Sequence, residues 1–171
     1  YMREALTMRA SGYVMKPVTA VAIREELDNL RYPTRKRLMI QTFGNFEIFY
    51  EGRPLHFARS KAKELKADLV DRRGASATMA EIATVLGDDT EYSRSLLNQI
   101  HCFLSELMKQ LRVVGAEDVI VKKRNMVAVD TALIDCDYYR FLDGDNSVAP
   151  HEYMRNYSWA EFTAGNLLKN K

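Results

Sequence analysis

The chain has 171 residues, of which 47% are apolar and 28% charged, and its 25 Lys and Arg against 23 Asp and Glu give a formal net charge of +2. This balance is typical of a globular protein with one good core or two small ones and argues against intrinsic disorder. No apolar run approaches the roughly 20 residues of a membrane helix, and no signal peptide is indicated, so no membrane partner is expected and the cytoplasm is the expected compartment. Two cysteines, Cys102 and Cys136, are too few for a disulfide framework and are expected to be reduced thiols.

The first 32 residues combine helical and extended patterns. Residues 2–10 predict an amphipathic helix, residues 13–15 predict a short apolar strand, and a second helix begins near Thr19 and cannot continue past Pro33. Two helices cannot cover both faces of the strand between them, and so short an apolar strand is typical of a parallel sheet. The pattern therefore predicts a fragment of a larger α/β domain.

A polar, basic connector at residues 33–36 leads into alternating patterns. Residues 37–43, 45–50 and 53–57 predict three short strands, and Glu51-Gly52 has the composition of a hairpin turn between the last two. A small antiparallel sheet is therefore expected before the helices.

Two helices are predicted next. The first begins at Ser60, ends near Gly74 and has charged residues opposite one apolar face. The apolar residues of that face are Ala62, Leu65 and Leu69. A capping box formed by Thr78 and Glu81 opens the second helix, which runs through Leu86.

The third predicted helix is the longest and is followed by a hairpin. Residues 91–113 carry apolar side chains at spacings of three and four, which predicts a single buried stripe. The stripe consists of Leu97, Ile100, Leu104, Leu107 and Leu111. Two further strands, 118–122 and 126–129, are joined by residues 123–125 (KRN), of which the first two are basic. We call the hairpin of residues 118–129 the wing.

Strands, three helices and a basic hairpin in this order predict a winged helix-turn-helix with an N-terminal antiparallel sheet, which is an α+β fold. The sequence also resembles the DNA-binding domain of the Streptomyces antibiotic regulatory protein family, a relative of OmpR-type winged helices. The segments that carry this resemblance are 42–47 (TFGNFE), 60–65 (SKAKEL), 71–74 (DRRG), 135–139 (DCDYY), 152–154 (EYM) and 157–161 (YSWAE).

Residues 1–5 (YMREA) and 10–18 (ASGYVMKPV) resemble the last third of a bacterial response-regulator receiver domain. The resemblance implies that Lys16 is the lysine that contacts the phosphorylated Asp of such domains, and that the phosphoacceptor lies upstream of Tyr1. It also implies a sensor kinase acting on the full-length protein, RNA polymerase as a further candidate partner, and a homodimer formed through residues 1–32. Together the two resemblances predict a partial receiver at 1–32, a linker at 33–36, the winged helix at 37–134 and a helical tail at 135–171.

In a winged helix the third helix lies in the major groove of double-stranded DNA and the wing contacts phosphates. We call the side of the third helix opposite its apolar stripe the recognition face. It consists of Arg94, Ser95, Asn98, His101, Cys102, Ser105 and Lys109. Arg94 is suited to guanine and Asn98 to adenine, while Lys109 is suited to phosphates. The phosphate-binding residues of the wing are Lys122, Lys123 and Arg124.

The charge supports this assignment only mildly. Residues 33–134 carry sixteen Lys and Arg against thirteen Asp and Glu, and residues 91–113 net only +1. Weak binding by a monomer would require dimerisation on a repeated site, or a further partner domain, to reach useful occupancy. The alternative is a winged-helix protein-interaction module that has lost DNA binding.

The sequence offers no catalytic motif and no implied cofactor. His56, His101 and His151 are far apart in sequence, and Asp135 and Asp137 lack further ligands at metal-binding spacing, so a helix-capping or surface role is favoured for these carboxylates. No metal site and no enzymatic activity are therefore expected. An aromatic and aliphatic cluster near the C-terminus is expected to pack onto the body of the domain. Its members are Tyr153, Tyr157, Trp159, Phe162, Leu167 and Leu168.

Overall fold

The structure, a computed structural model, describes residues 19–20, 37–87, 93–145, 147–148 and 150–169. The chain divides into two compact units, Tyr1–Arg35 and Lys36–Lys171, and all described residues except 19–20 lie in the second unit. The predicted receiver fragment, including Lys16, and the predicted linker lie outside the described residues apart from Thr19 and Ala20.

The predicted strands and helices of residues 37–129 occur in the predicted order, and the strands at 77–78 and 134–136 are additions that the sequence analysis did not predict. The strands are β1 (Leu38–Gln41), β2 (Glu47–Tyr50), β3 (Arg53–Pro54), β4 (Ala77–Thr78), β5 (Ile120–Lys123), β6 (Met126–Val129) and β7 (Ile134–Cys136). The helices are α1 (Ser60–Asp71), α2 (Met79–Leu86), α3 (Arg94–Val113), α4 (Asp137–Leu142) and α5 (Glu161–Lys169). Short 3₁₀ turns cover Glu117–Val119, Thr131–Leu133 and Ser158–Ala160.

The N-terminal sheet has the described strand order β3-β2-β1-β7. Its β2–β3 hairpin turns at Glu51 and Gly52, whose φ angles of 48° and 76° are the two positive values that a tight hairpin turn needs. In β1, Leu38 and Ile40 are buried while Met39 is 44% exposed, which is the alternation expected of a sheet with one covered face.

β7 joins this sheet by pairing in parallel with β1, with Leu38 opposite Ile134 and Ile40 opposite Cys136. The predicted boundary between residues 134 and 135 falls inside β7. Residues beyond that boundary, Tyr153 and Met154 among them, belong to the same core as the winged helix.

Burial in α1 differs from the sequence expectation of one apolar face opposite a charged face. The charged residues Glu64, Lys66 and Asp68 are buried together with Leu65 and Leu69. The reason is that α1 is covered on two sides. It packs against α2 and α3, and the C-terminal segment lies over its remaining surface.

In α3 the buried residues are Leu96, Ile100, Leu104, Leu107 and Leu111. The stripe therefore begins at Leu96, whereas the sequence prediction began it at Leu97, which is only partly buried. Both residues fit a spacing of three or four to the next buried position, so the sequence pattern did not distinguish them.

A second sheet has the described order β4-β6-β5 and contains the wing. Lys123 pairs with Met126, so the turn consists of Arg124 and Asn125, and the φ of Asn125 is 60°. The first wing strand begins at Ile120, two residues later than the predicted 118, because Glu117–Val119 form a 3₁₀ turn.

Among the described side chains of the C-terminal cluster, all but Phe162 belong to the core or pack against it, while the side chain of Leu168 lies outside the described residues. Tyr153 and Leu167 are buried, and the rings of Tyr157 and Trp159 stack with centroids 5.4 Å apart. Phe162 is 80% exposed, contrary to its predicted place in the cluster. Leu167 is five positions beyond Phe162, which places the two side chains on different faces of α5.

Candidate nucleic-acid interface

The first turn of α3 is fixed by a side-chain cap. Ser93 is the N-cap residue, and its Oγ accepts a hydrogen bond from the Leu96 backbone N–H at 3.1 Å. This satisfies one of the backbone donors that a helix N-terminus leaves unpaired. The cap sets the start of α3, and its buried leucines set the rotation of the helix on the core.

Because the apolar stripe of α3 is buried, the whole recognition face on the other side of the helix is exposed. The exposed residues are Arg94, Ser95, Asn98, His101, Cys102, Ser105 and Lys109. The Ser105 hydroxyl donates to the His101 carbonyl oxygen at 2.8 Å, so its oxygen is left as an acceptor. The structure thus brings every predicted residue of this face onto one surface of one helix.

Arg112 extends the same surface and was missed by the sequence prediction. It is exposed in the last turn of α3, three residues beyond Lys109 and therefore on the same face. A cation at a helix C-terminus is also favoured by the helix dipole. Continuing the 3.6-residue period by one more step would have identified it.

The acidic residue of α3 is turned away from this surface. Glu106 accepts a hydrogen bond from the Arg59 backbone N–H at 2.8 Å and lies 3.8 Å from the Arg59 guanidinium. Within the part of the chain that the structure describes, Arg94, Lys109 and Arg112 have no ion-pair partner. The described recognition surface therefore presents positive charge without a neutralising carboxylate.

The wing presents its cations at its tip. Lys122, Lys123 and Arg124 are exposed, in the end of β5 and the turn that follows. None of the three forms an ion pair with another described residue. Their ammonium and guanidinium groups are available to an anionic partner.

The titratable groups with large pKa shifts lie in the core rather than at this surface. Burial lowers the pKa of Lys66 to about 7, and among the described side chains its Nζ is buried without a hydrogen-bond partner. Burial raises the pKa of the Cys136 thiol to about 12, so this neighbour is uncharged at neutral pH. Burial also raises the pKa of Asp68 to about 6, against the opposing effect of Arg72. The sequence prediction missed Lys66 and Asp68 because the charged residues of α1 were assigned to its solvent-exposed face.

Asp137, one of the two carboxylates noted for possible metal binding, has a structural role. Its carboxylate accepts hydrogen bonds from the backbone N–H groups of Thr42 and Phe43 and from the Thr42 hydroxyl, at 2.6 to 3.1 Å. The chain after β1 is thereby tied to the start of α4. In the described ranges no three His, Cys, Asp or Glu side chains are grouped to hold a metal ion.

No described helix is long and apolar enough to span a bilayer. No family model matches the chain, and no curated protein matches its sequence.

The fold is similar to a solved structure of Mycobacterium tuberculosis EmbR in complex with a low affinity phosphopeptide. The TM-score is 0.65 and the sequence identity 18%, and the match covers 80% of this chain and 43% of the EmbR chain. EmbR is a transcription regulator of the Streptomyces antibiotic regulatory protein family, so the likeness supports the predicted α+β winged-helix fold. This chain spans less than half the length of EmbR, and the likeness concerns the fold alone.

Proposed function

We propose that the protein is a DNA-binding transcription regulator without enzymatic activity. The observation that carries the proposal is the recognition face of α3, which is exposed, polar and free of ion-paired carboxylates, together with the exposed cations of the wing. A helix of this kind is the element that winged-helix proteins insert into the major groove.

The residues divide into two groups by the chemistry of their side chains. The guanidinium of Arg94 has two parallel donors, which suit the edge of guanine. The amide of Asn98 has a donor and an acceptor, which suit the edge of adenine. Lys109 and Arg112 lie further along α3 and are suited to the DNA backbone, as are the three wing cations. Base contacts specify the site, while phosphate contacts supply salt-dependent affinity.

Within the same proposal, residues 1–32 are part of a receiver and the protein is the output part of a two-component response regulator. Support for this comes from the receiver-like segments at 1–5 and 10–18. A sensor kinase would act on the full-length protein, and Lys16 would report phosphorylation. A homodimer formed through residues 1–32 would compensate for the modest charge of α3 by binding a repeated site.

A gel shift with mixed-sequence duplex DNA at low and moderate salt tests the DNA-binding proposal. We expect binding at low salt that weakens steeply as salt rises, because counterions compete for the phosphates. Substituting Lys122, Lys123 and Arg124 together with Ala should reduce binding, whereas Arg53→Ala, on the exposed β3 strand, is the matched control and should not. Absence of binding by the wild-type chain at low salt would overturn the proposal and favour the protein-interaction module.

A further inference from the structure

A second surface of the molecule has the features of a small-molecule site. A cavity of about 310 Å³ lies where the end of α1, the turn after β6, strand β7 and helix α4 meet. Arg73 and Arg140 line it together with the apolar Ile134 and Leu142. This volume is at the lower end of the range that small ligands occupy.

Two guanidinium groups face this cavity with unused hydrogen-bond donors. Arg73 follows α1 at a φ of 53°, and its guanidinium has no ion pair within the described residues. Arg140 has a loose ion pair, with its Nε 3.6 Å from Asp135 Oδ1. Since each guanidinium carries five N–H donors in a planar fork, both remain able to bind a carboxylate.

The other walls are apolar. Ile134 is buried and Leu142 is 44% exposed, so part of the Leu142 side chain is open to a ligand. The Tyr139 hydroxyl donates to the Val70 carbonyl oxygen at 2.6 Å, so its ring rather than its hydroxyl is available to a ligand. The cavity therefore offers apolar contact next to positive charge.

The net charge of the lining selects the class of ligand. Asp143 also lines the cavity and Asp135 pairs with Arg140, so of the two arginines only Arg73 lacks a carboxylate partner among the described residues, and a monoanion is favoured over a dianion. The larger groove beside α1 differs in this respect, because its Lys61 and Lys63 already pair with Glu64 and Glu47. Arg73, a lining cation without an ion pair among the described residues, thus distinguishes the smaller cavity.

We propose that this cavity binds a small monocarboxylate with an apolar body, the carboxylate lying between Arg73 and Arg140 and the body against Ile134, Leu142 and the Tyr139 ring. The proposal does not depend on DNA binding, because none of these residues belongs to the recognition face or the wing.

Titration of the whole chain with benzoate, followed by backbone amide NMR shifts, tests this site. Benzamide is the neutral probe of the same shape. We expect saturable benzoate binding with a Kd on the order of millimolar. Arg73→Gln and Arg140→Gln should each weaken it about tenfold, the effect of losing one charge-assisted hydrogen bond. Asp143→Asn should instead tighten binding, and Arg53→Gln should leave it unchanged.

The arginine variants are expected to weaken benzoate binding, whereas the aspartate variant is expected to tighten it. A general loss of structure would weaken binding in all three variants. The proposal is overturned if wild-type protein shows no saturable shifts, if benzamide binds as tightly as benzoate, or if the arginine variants behave like Arg53→Gln. A Kd for Asp143→Asn that is unchanged or weaker would also overturn the charge argument.

Discussion

Lys66 is the residue whose environment departs furthest from its ordinary chemistry. Its side chain is fully buried in α1, and no described group accepts a hydrogen bond from its Nζ. The neutral Cys136 thiol supplies no counter-charge, so burial dominates and lowers the pKa of Lys66 to about 7. Leaving a buried polar group unsatisfied destabilises a fold by about 1–3 kcal/mol.

We therefore expect Lys66→Met to raise the free energy of unfolding by about 1–3 kcal/mol at about pH 6. Between about pH 7 and the ordinary lysine pKa of 10.5, Lys66 in the unfolded chain holds a proton that the folded residue has released. Wild-type stability consequently rises with pH across this window, and the advantage of the variant shrinks. Urea unfolding at about pH 6 and about pH 9 measures both effects.

Lys109→Met is the control, because this lysine is exposed on α3. Its effect should stay within about 0.5 kcal/mol at both pH values. A loss of stability in Lys66→Met, or a gain that grows with pH, would contradict the account of Lys66.

Asp137, in contrast to Lys66, stabilises the fold, because its carboxylate accepts several hydrogen bonds. Asp137→Asn removes the charge and replaces one accepting oxygen with a donor that faces the N–H groups of Thr42 and Phe43. We expect a loss of about 1.5–3 kcal/mol in urea unfolding, the usual size for hydrogen bonds to a charged group. Asp118→Asn, at a 45% exposed ion pair with Arg37, should lose at most about 1 kcal/mol. Equal losses in the two variants would show that the Asp137 contacts do not tie β1 to α4.

At the scale of elements, α3 and the wing have different expected roles. Arg94→Ala should weaken binding to a specific site by about 1–3 kcal/mol and relax sequence preference, because it removes a base contact. Lys123→Ala should weaken binding to all DNA similarly and lower the salt slope by about 1, because it removes a phosphate contact. Fluorescence anisotropy with specific and random duplexes over a salt series measures both quantities.

Arg53→Ala again serves as the control for a lost surface cation. An equal loss on specific and random DNA for Arg94→Ala would rule out base reading by this residue. The same outcome would assign Arg94 to a contact with the DNA phosphates. The N-terminus of α3, where Arg94 lies, also favours anions.

At the scale of the whole molecule, we expect a dimer formed through residues 1–32. The predicted strand and second helix of this segment contain apolar residues that an isolated helix-strand-helix cannot cover. These residues are Tyr13, Val14, Met15, Ile23 and Leu27. Sedimentation at micromolar concentration should show a dimer for the whole chain and a monomer after deletion of residues 1–32. A monomer in both cases would refute this interface.

The sequence alone determined the elements that depend on neighbouring residues. Three features were predicted correctly from local sequence: the capping box of Thr78 and Glu81, the Glu51-Gly52 turn and the exposed face of α3. They were predictable because caps, turns and helical periodicity depend on residues a few positions apart. For the same reason the predicted DNA-contacting residues lie on one helix and one hairpin.

Only the tertiary structure decided what depends on distant contacts. The parallel pairing of β1 with β7 joins residues nearly a hundred positions apart, and no local pattern specifies such a partner. Lys66 is buried because other elements cover α1 on two sides. The pattern of apolar and charged residues within α1 does not reveal this covering. The cavity between Arg73 and Arg140 likewise exists because four separate elements meet there. Local sequence sets the conformation of each element, whereas burial and site formation depend on which elements pack together.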